Sequence, residues 1–121
     1  MSLFRLDASI NPANSSSRAI ADIVEHEWQA AQPDGTVVRR NVGTEPLPAD
    51  VWAPAAVASR TPEESRTEAQ RAALALAQGL TAELREADAA LLAVPLYNFG
   101  IPQHVKVWID LVIAEIGRAH V

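Results

Sequence analysis

The feature that most constrains this chain is one uninterrupted apolar run, Ala89 to Val94, closed by Pro95. Its length suits a strand and not a helix, and unbroken apolarity without alternation is the mark of a strand buried on both faces of a parallel sheet. Parallel neighbours must be joined by crossovers, so the rest of the chain should supply βα units. It does. Leu3 to Ala8 reads as a short strand, interrupted by Arg5, and Thr36 to Val42 is β-branched enough for another. Helical patterns lie between and after these runs. The order is β-α-β-(loop, α)-β-α, which implies an α/β architecture with a right-handed, doubly wound parallel sheet.

The helices carry their own signals. Ile20, Ile23, Val24, Trp28 and Ala31 fall on one stripe of the first, with Arg18, Asp22, Glu25 and Gln29 turned away. Pro33-Asp34-Gly35 ends it. Gly43 to Arg60 is rich in Pro and Ala and reads as a long loop. Thr61-Pro62-Glu63-Glu64 has the form of a capping box, with Thr61 at the N-cap, proline at N1 and Glu64 at N3. The helix it predicts runs to about Ala87, with Ala69, Ala73, Leu76, Leu80 and Leu84 on one face. Ile101-Pro102 opens a last helix that is apolar nearly all round. Ile101, Val105, Trp108 and Val112 form one stripe, and Val107, Leu111 and Ile113 fall outside it, as a helix covered on a second face would require.

Composition removes several classes of function. The chain has 121 residues, one domain at most, and a formal net charge of −5. Arg39-Arg40 is its only basic pair, so nucleic acid is not expected as a partner. There is no cysteine, and His26, His104 and His120 show no ligand spacing, so no metal site is expected. No signal peptide opens the chain and no apolar run reaches the ~20 residues of a membrane span. A soluble cytoplasmic protein without membrane contact is the expectation.

Ligands of open parallel sheets bind at the carboxyl ends of the strands. Two loops lie there. Ser9 to Ser17 follows the first strand and is neither a P-loop nor a glycine-rich dinucleotide fingerprint. Its hydroxyls and the free N–H groups of the next helix can surround a phosphate monoester. The same serines could instead only cap that helix. Pro95 to Gly100 follows the apolar strand. Tyr97 and Phe99 could cover a flat ring whose polar edge meets Asn98, or could pack beneath the loop as satellite core.

Pro95-Leu96-Tyr97-Asn98-Phe99-Gly100-Ile101-Pro102, then Lys106 and Asp110-Leu111-Val112, is very similar to the P-M-Y-N-F-x-I-P…K…D-L-V signature of FMN-dependent NADH-azoreductases. Ser9-Ile10 and Ser15-Ser16-Ser17 resemble that family's first FMN loop, whose usual S-Q-S has serine in the middle here. Pro46 and Pro48 and the Ala/Leu-rich helix are also alike, and the likeness spans residues 3–114. The resemblance implies a flavodoxin-like fold and non-covalent FMN. It puts the phosphate at Ser15, Ser16 and Ser17, with Ser9 nearby, and the isoalloxazine against Leu96, Tyr97, Asn98 and Phe99. NADH would reduce the flavin, and a quinone or azo compound would replace it and be reduced. A homodimer with FMN near the interface is also implied. Gly100 stands where the family usually has Asn, which should mostly affect loop stiffness. A flavodoxin-type electron carrier, or another NAD(P)H:quinone or flavin reductase, would use the same fold.

No protein acid or base is nominated as catalytic. His104 is expected to be an exposed first-turn histidine, and Lys106 and Asp110 a surface i,i+4 pair. A flavodoxin-like sheet has five strands in the order 2-1-3-4-5. The chain offers three of them, expected in the order 2-1-3, so residues 1–114 read as the N-terminal part of such a domain. One back-translation of residues 115–121 is GAG ATC GGA AGA GCA CAC GTC, the start of a common sequencing adapter, and these residues are expected to be a non-native tail.

Overall fold

The computed structural model describes residues 1–119. Of the tail set apart above, His120 and Val121 lie outside the described residues. Strands β1 (Ser2–Asp7), β2 (Thr36–Asn41) and β3 (Ala89–Ala93) form one parallel sheet in the order β2-β1-β3. Helices α1 (Ser16–Ala31), α2 (Trp52–Ala58), α3 (Glu68–Arg85) and α4 (Gln103–Ala119) connect or follow them. The register sets Phe4 beside both Val38 and Ala90, and Leu6 beside Arg40 and Leu92. This is the α/β order expected. Among the described residues no helix is long and apolar enough to cross a membrane.

The alternation along β1 separates two unlike faces. Phe4, Leu6 and Ala8 enter the core with Val42, Ala77, Leu80, Trp108 and Leu111, where α2, α3 and α4 pack on one another. Phe4 and Trp108 stack with ring centroids 6.1 Å apart. Arg5 and Asp7 point to the other face and are also buried. Arg5 Nε and Nη2 donate to Asp7 at 2.9 and 3.0 Å, and its Nη1 lies 2.7 Å from Asp22 of α1. Arg39 of β2 adds a two-pronged bond to Glu25, at 3.1 and 2.7 Å. Thus α1 meets the sheet through an ion-pair network, where an apolar stripe was expected. Ile20, Ile23 and Val24 are 63%, 64% and 45% exposed, and Ala21 is the residue of α1 that is buried.

Four other expectations change. β3 is not buried on both faces. It is an edge strand, and Leu92 is 47% exposed although its register partner Leu6 is fully buried. The region taken as loop contains α2, whose Ala55 and Ala58 are buried. Thr61 does not cap the long helix. Glu63–Ser65 makes a single 3-10 turn, Arg66 adopts an extended backbone, and its Nε donates to the carbonyls of Ala58 and Thr61. The capping box forms one turn later, between Thr67 and Gln70. On α4, Leu111 is fully buried and Val107 packs against the core, so of the outer set Ile113 alone is exposed.

Candidate functional site

Each β-strand ladder ends in a hydrogen bond that fixes where its loop starts. Val42 N–H donates to the carbonyl of Asp7 at 2.9 Å, and Ala8 N–H to that of Ala93 at 3.1 Å. The β1–α1 loop and the β3–α4 loop therefore leave the sheet side by side. Gly43 lets the first of them lie flat. A Cβ built there would sit 2.1 Å from the carbonyl oxygen of Ser9, closer than any side chain permits. Ser9 is itself buried, and its hydroxyl accepts from the Asn11 N–H at 3.2 Å.

A single 3-10 turn, Pro12–Asn14, then delivers the chain to Ser15. Ser15 caps α1: its hydroxyl accepts from Arg18 N–H at 3.1 Å and lies 3.0 Å from the hydroxyl of Ser17. The Arg18 amide is spent on the cap, while the N–H groups of Ser16 and Ser17 have no partner among the described residues and remain available. Together with the three hydroxyls they make a cluster of neutral hydrogen-bonding groups at the positive end of a helix 16 residues long.

The β3–α4 loop supplies the opposite wall. Tyr97 and Gly100 close a tight turn through Gly100 N–H to the Tyr97 carbonyl at 3.0 Å. Its two central residues, Asn98 and Phe99, have φ of 53° and 64°. Asn tolerates the left-handed region; Phe does not, at a cost of about 1–2 kcal/mol. No glycine among the described residues has positive φ, so the freedom expected of Gly100 is used by its neighbours instead. Phe99 stands wholly in solvent at the tip, and Leu96 is 73% exposed. The Tyr97 hydroxyl turns inward and accepts from the Ile10 N–H at 3.2 Å, tying the two loops together.

One cavity of about 470 Å³ brings together Ser9, Ser15, Ser16, Ser17, Leu96 and Tyr97. Asn98 lines a neighbouring cavity of about 380 Å³, and Phe99 lines neither. Tyr97 borders both cavities, and residues not named as cofactor-binding from sequence also contribute: Ile10 borders both, Asn11 and Asn14 border the first, and Gln103 and His104 border the second. His104 is half-buried there, not the exposed first-turn residue expected. Its sequence signal was only its position, two residues past Pro102. Lys106 and Asp110 make the expected pair, at 2.5 Å, outside both cavities.

Among the described residues no lysine or arginine lines the first cavity, so an anion there would meet neutral donors and the helix end. The nearest buried cation is spoken for. Burial opposes the charge of Arg5, but the hydrogen bonds it donates to Asp7 and Asp22, with their negative charge, outweigh this and raise its pKa further. Arg5 also reaches the Arg18 carbonyl at 3.5 Å, under the first turn of α1. A phosphate monoester joined to a flat ring fits this arrangement: hydroxyls and amides at one end, Leu96 and Tyr97 along the wall, Asn98 beyond. Among the described residues no cluster of His, Asp and Glu could hold a metal ion.

Residues 1–120 match the family model described as "Flavodoxin-like fold". The chain is 41% identical over 111 residues to an FMN-dependent NADH:quinone oxidoreductase of Xanthobacter autotrophicus, covering 92% of this chain and 53% of that protein. A protein of the same description from Marinomonas sp. is 42% identical over 116 residues, covering 96% of this chain and 58% of the other. The chain thus spans about half the length of these relatives. In fold it is similar to the crystal structure of azoreductase AzrA, with TM-score 0.79, 23% identity, and coverage of 93% of this chain and 55% of that one. The azoreductase from Bacillus anthracis str. Sterne superposes with TM-score 0.76 at 22% identity, covering 93% and 55%.

Proposed function

Since the chain belongs to the flavodoxin-like fold family, we propose that it binds FMN non-covalently and serves an NADH-dependent oxidoreductase whose acceptors are quinones or azo compounds. The observation that carries this reading is the cradle of Ser15, Ser16 and Ser17, which opens into one cavity with Ser9, Leu96 and Tyr97. In the proposal the serine hydroxyls and the amides of Ser16 and Ser17 hold the phosphate. Leu96 and Tyr97 flank the isoalloxazine, Asn98 meets its hydrogen-bonding edge, and Phe99 covers it. FMN, when bound, supplies the hydride chemistry. The chain's part is to orient the ring and keep one side of it dry.

The relatives described as FMN-dependent NADH:quinone oxidoreductases support the cofactor and the co-substrate. The turnover is proposed for the full-length protein, with residues 1–114 as the N-terminal part of its domain, residues 115–121 as a non-native tail, and a cytoplasmic location. A homodimer is proposed as well, with the exposed Trp52 and Ile113, which share a groove between α2 and α4, as its apolar surface.

The test compares FMN with riboflavin by quenching of flavin fluorescence. FMN is expected to bind at least about tenfold more tightly, because the cradle's bonds are charge-assisted. Equal affinity for the two would remove the phosphate from the serine cradle. Stopped-flow mixing of the FMN-loaded full-length protein with NADH separates a reductase from a flavodoxin-type carrier, which takes no hydride.

A further inference from the structure

Arg5 lies in the middle of β1, is 3% exposed, and divides its guanidinium among four groups. Nε and Nη2 bond the two carboxylate oxygens of Asp7. Nη1 reaches Asp22 at 2.7 Å and Glu25 at 3.4 Å, and Nη2 also reaches the carbonyl of Arg18 at 3.5 Å. One of these partners stands on β1 and three on α1, so a single side chain ties the strand to the first three turns of the helix. The Arg18 contact falls at the base of the serine turn. Arg18 N–H donates to the Ser15 hydroxyl while its carbonyl accepts from Arg5, so one residue links the guanidinium to the first serine. The network joins two cations, Arg5 and Arg39, to three carboxylates, Asp7, Asp22 and Glu25. Asp7 is buried, two residues before Ser9. Loss of Arg5 would leave its carboxylate desolvated behind the turn, where it repels an anion or takes up a proton and frees the helix start.

We propose that Arg5 is a positioning residue for the flavin phosphate: from beneath the turn it sets the start of α1 against β1 and neutralises Asp7. The inference rests on the FMN reading above and adds to it the buried residue that aligns the phosphate end of the site. Both parts of the role need an arginine. A planar fork can bond both oxygens of Asp7 and still turn a prong toward Asp22 and the Arg18 carbonyl, whereas a lysine ammonium is a point charge on a flexible stem. The role also has a signature that general stabilisation lacks. Misplacing the first turn of α1, or exposing the phosphate to the Asp7 charge, weakens a flavin that carries a phosphate far more than one that does not.

The test measures FMN and riboflavin affinity by fluorescence quenching in the full-length protein, for wild type, Arg5→Lys, Arg5→Gln and the double variant Arg5→Gln/Asp7→Asn. Arg5→Gln should weaken FMN binding roughly tenfold and riboflavin binding by less than about twofold. Arg5→Lys should fall between Arg5→Gln and wild type, because the charge returns without the fork. The double variant should regain part of the FMN affinity lost in Arg5→Gln, because the unpaired carboxylate is gone. If Arg5→Gln does not fold, Arg5→Lys and the double variant carry the comparison, and each should lose more FMN affinity than riboflavin affinity. A ratio of FMN to riboflavin affinity unchanged from wild type in the folded variants would make Arg5 a purely structural residue and overturn the proposal. A double variant no better than Arg5→Gln would overturn the neutralising role assigned to it. Failure of the FMN reading shows separately, in the wild type, as FMN binding no tighter than riboflavin.

Discussion

The hydroxyl of Tyr97 accepts a hydrogen bond from the backbone N–H of Ile10 at 3.2 Å, and so joins loops that are 87 residues apart in sequence. Both loops leave the carboxyl end of the sheet, and this bond is a side-chain link that holds them at one spacing. Tyr97→Phe should leave the fold intact, because the ring stays and only the hydroxyl goes. Flavin affinity should fall by about 1 kcal/mol, roughly fivefold, as the loops lose registration. Fluorescence titration with FMN measures it, and an affinity equal to wild type would show that the loops hold their spacing without the bond.

Phe99 tests whether strain is stored for function. Its φ of 64° is unfavourable for a bulky side chain, and the ring gains no packing in return, being fully exposed. Phe99→Gly should raise the stability of the ligand-free protein by about 1 kcal/mol in urea denaturation. The same change should weaken flavin binding if the ring covers the isoalloxazine. Higher stability with unchanged flavin affinity would leave the aromatic ring without that role.

Gly43 should not tolerate a side chain. Gly43→Ala places its Cβ against the backbone of Ser9, and backbone cannot rotate away as a side chain can. A loss of 2 kcal/mol or more is expected in chemical denaturation, at the upper end of what overpacking costs. FMN affinity should fall with it, since Ser9 begins the cradle loop. Gly79→Ala is the control, because nothing lies within 4 Å of the site where its Cβ would stand.

The ion-pair network makes a pH prediction. Burial raises the pKa of Glu25, but hydrogen bonds and charge from Arg39, and then Arg5, outweigh it and hold the carboxyl below its ordinary value of 4.5. A carboxylate with a depressed folded pKa binds its proton more readily when unfolded. Its contribution is therefore fully present above about pH 4.5 and is lost as pH falls through the lower, folded value. Urea midpoints measured from pH 6 downward should drop in that window, and less steeply in Glu25→Gln. An equal slope in the variant would assign the acid loss to other carboxylates.

Much of the fold was legible because it follows from local periodicity. The apolar run at Ala89, the β-branched Thr36 segment and the helix breaker Pro33-Asp34-Gly35 each carry their signal within a few residues. That Ser9, Ser15 and Tyr97 would stand on loops following β1 and β3 was legible too, because polar loops come directly after those strands. The boundaries that failed did so through contacts made at a distance. Thr61 satisfies the capping pattern as well as Thr67 does, but Arg66 bonds the carbonyls of Ala58 and Thr61 and forces an extended residue between the two. No window of sequence contains that choice.

By itself, then, the sequence determined the order of strands and helices, the parallel sheet that such an order requires, and the residue types that stand at the ends of β1 and β3. The reason is that periodicity, caps and turn residues act over one or two helical turns. Tertiary structure alone decided which face of β1 would be ionic, how exposed α1 and β3 would be, and that His104 would share a cavity with Asn98. Those outcomes depend on what lies across a strand or a loop in space. Arg5 becomes a buried partner of Asp22 and Glu25 only once α1 is folded back across β1, and Ile10 meets Tyr97 only once β1 and β3 are neighbours in the sheet.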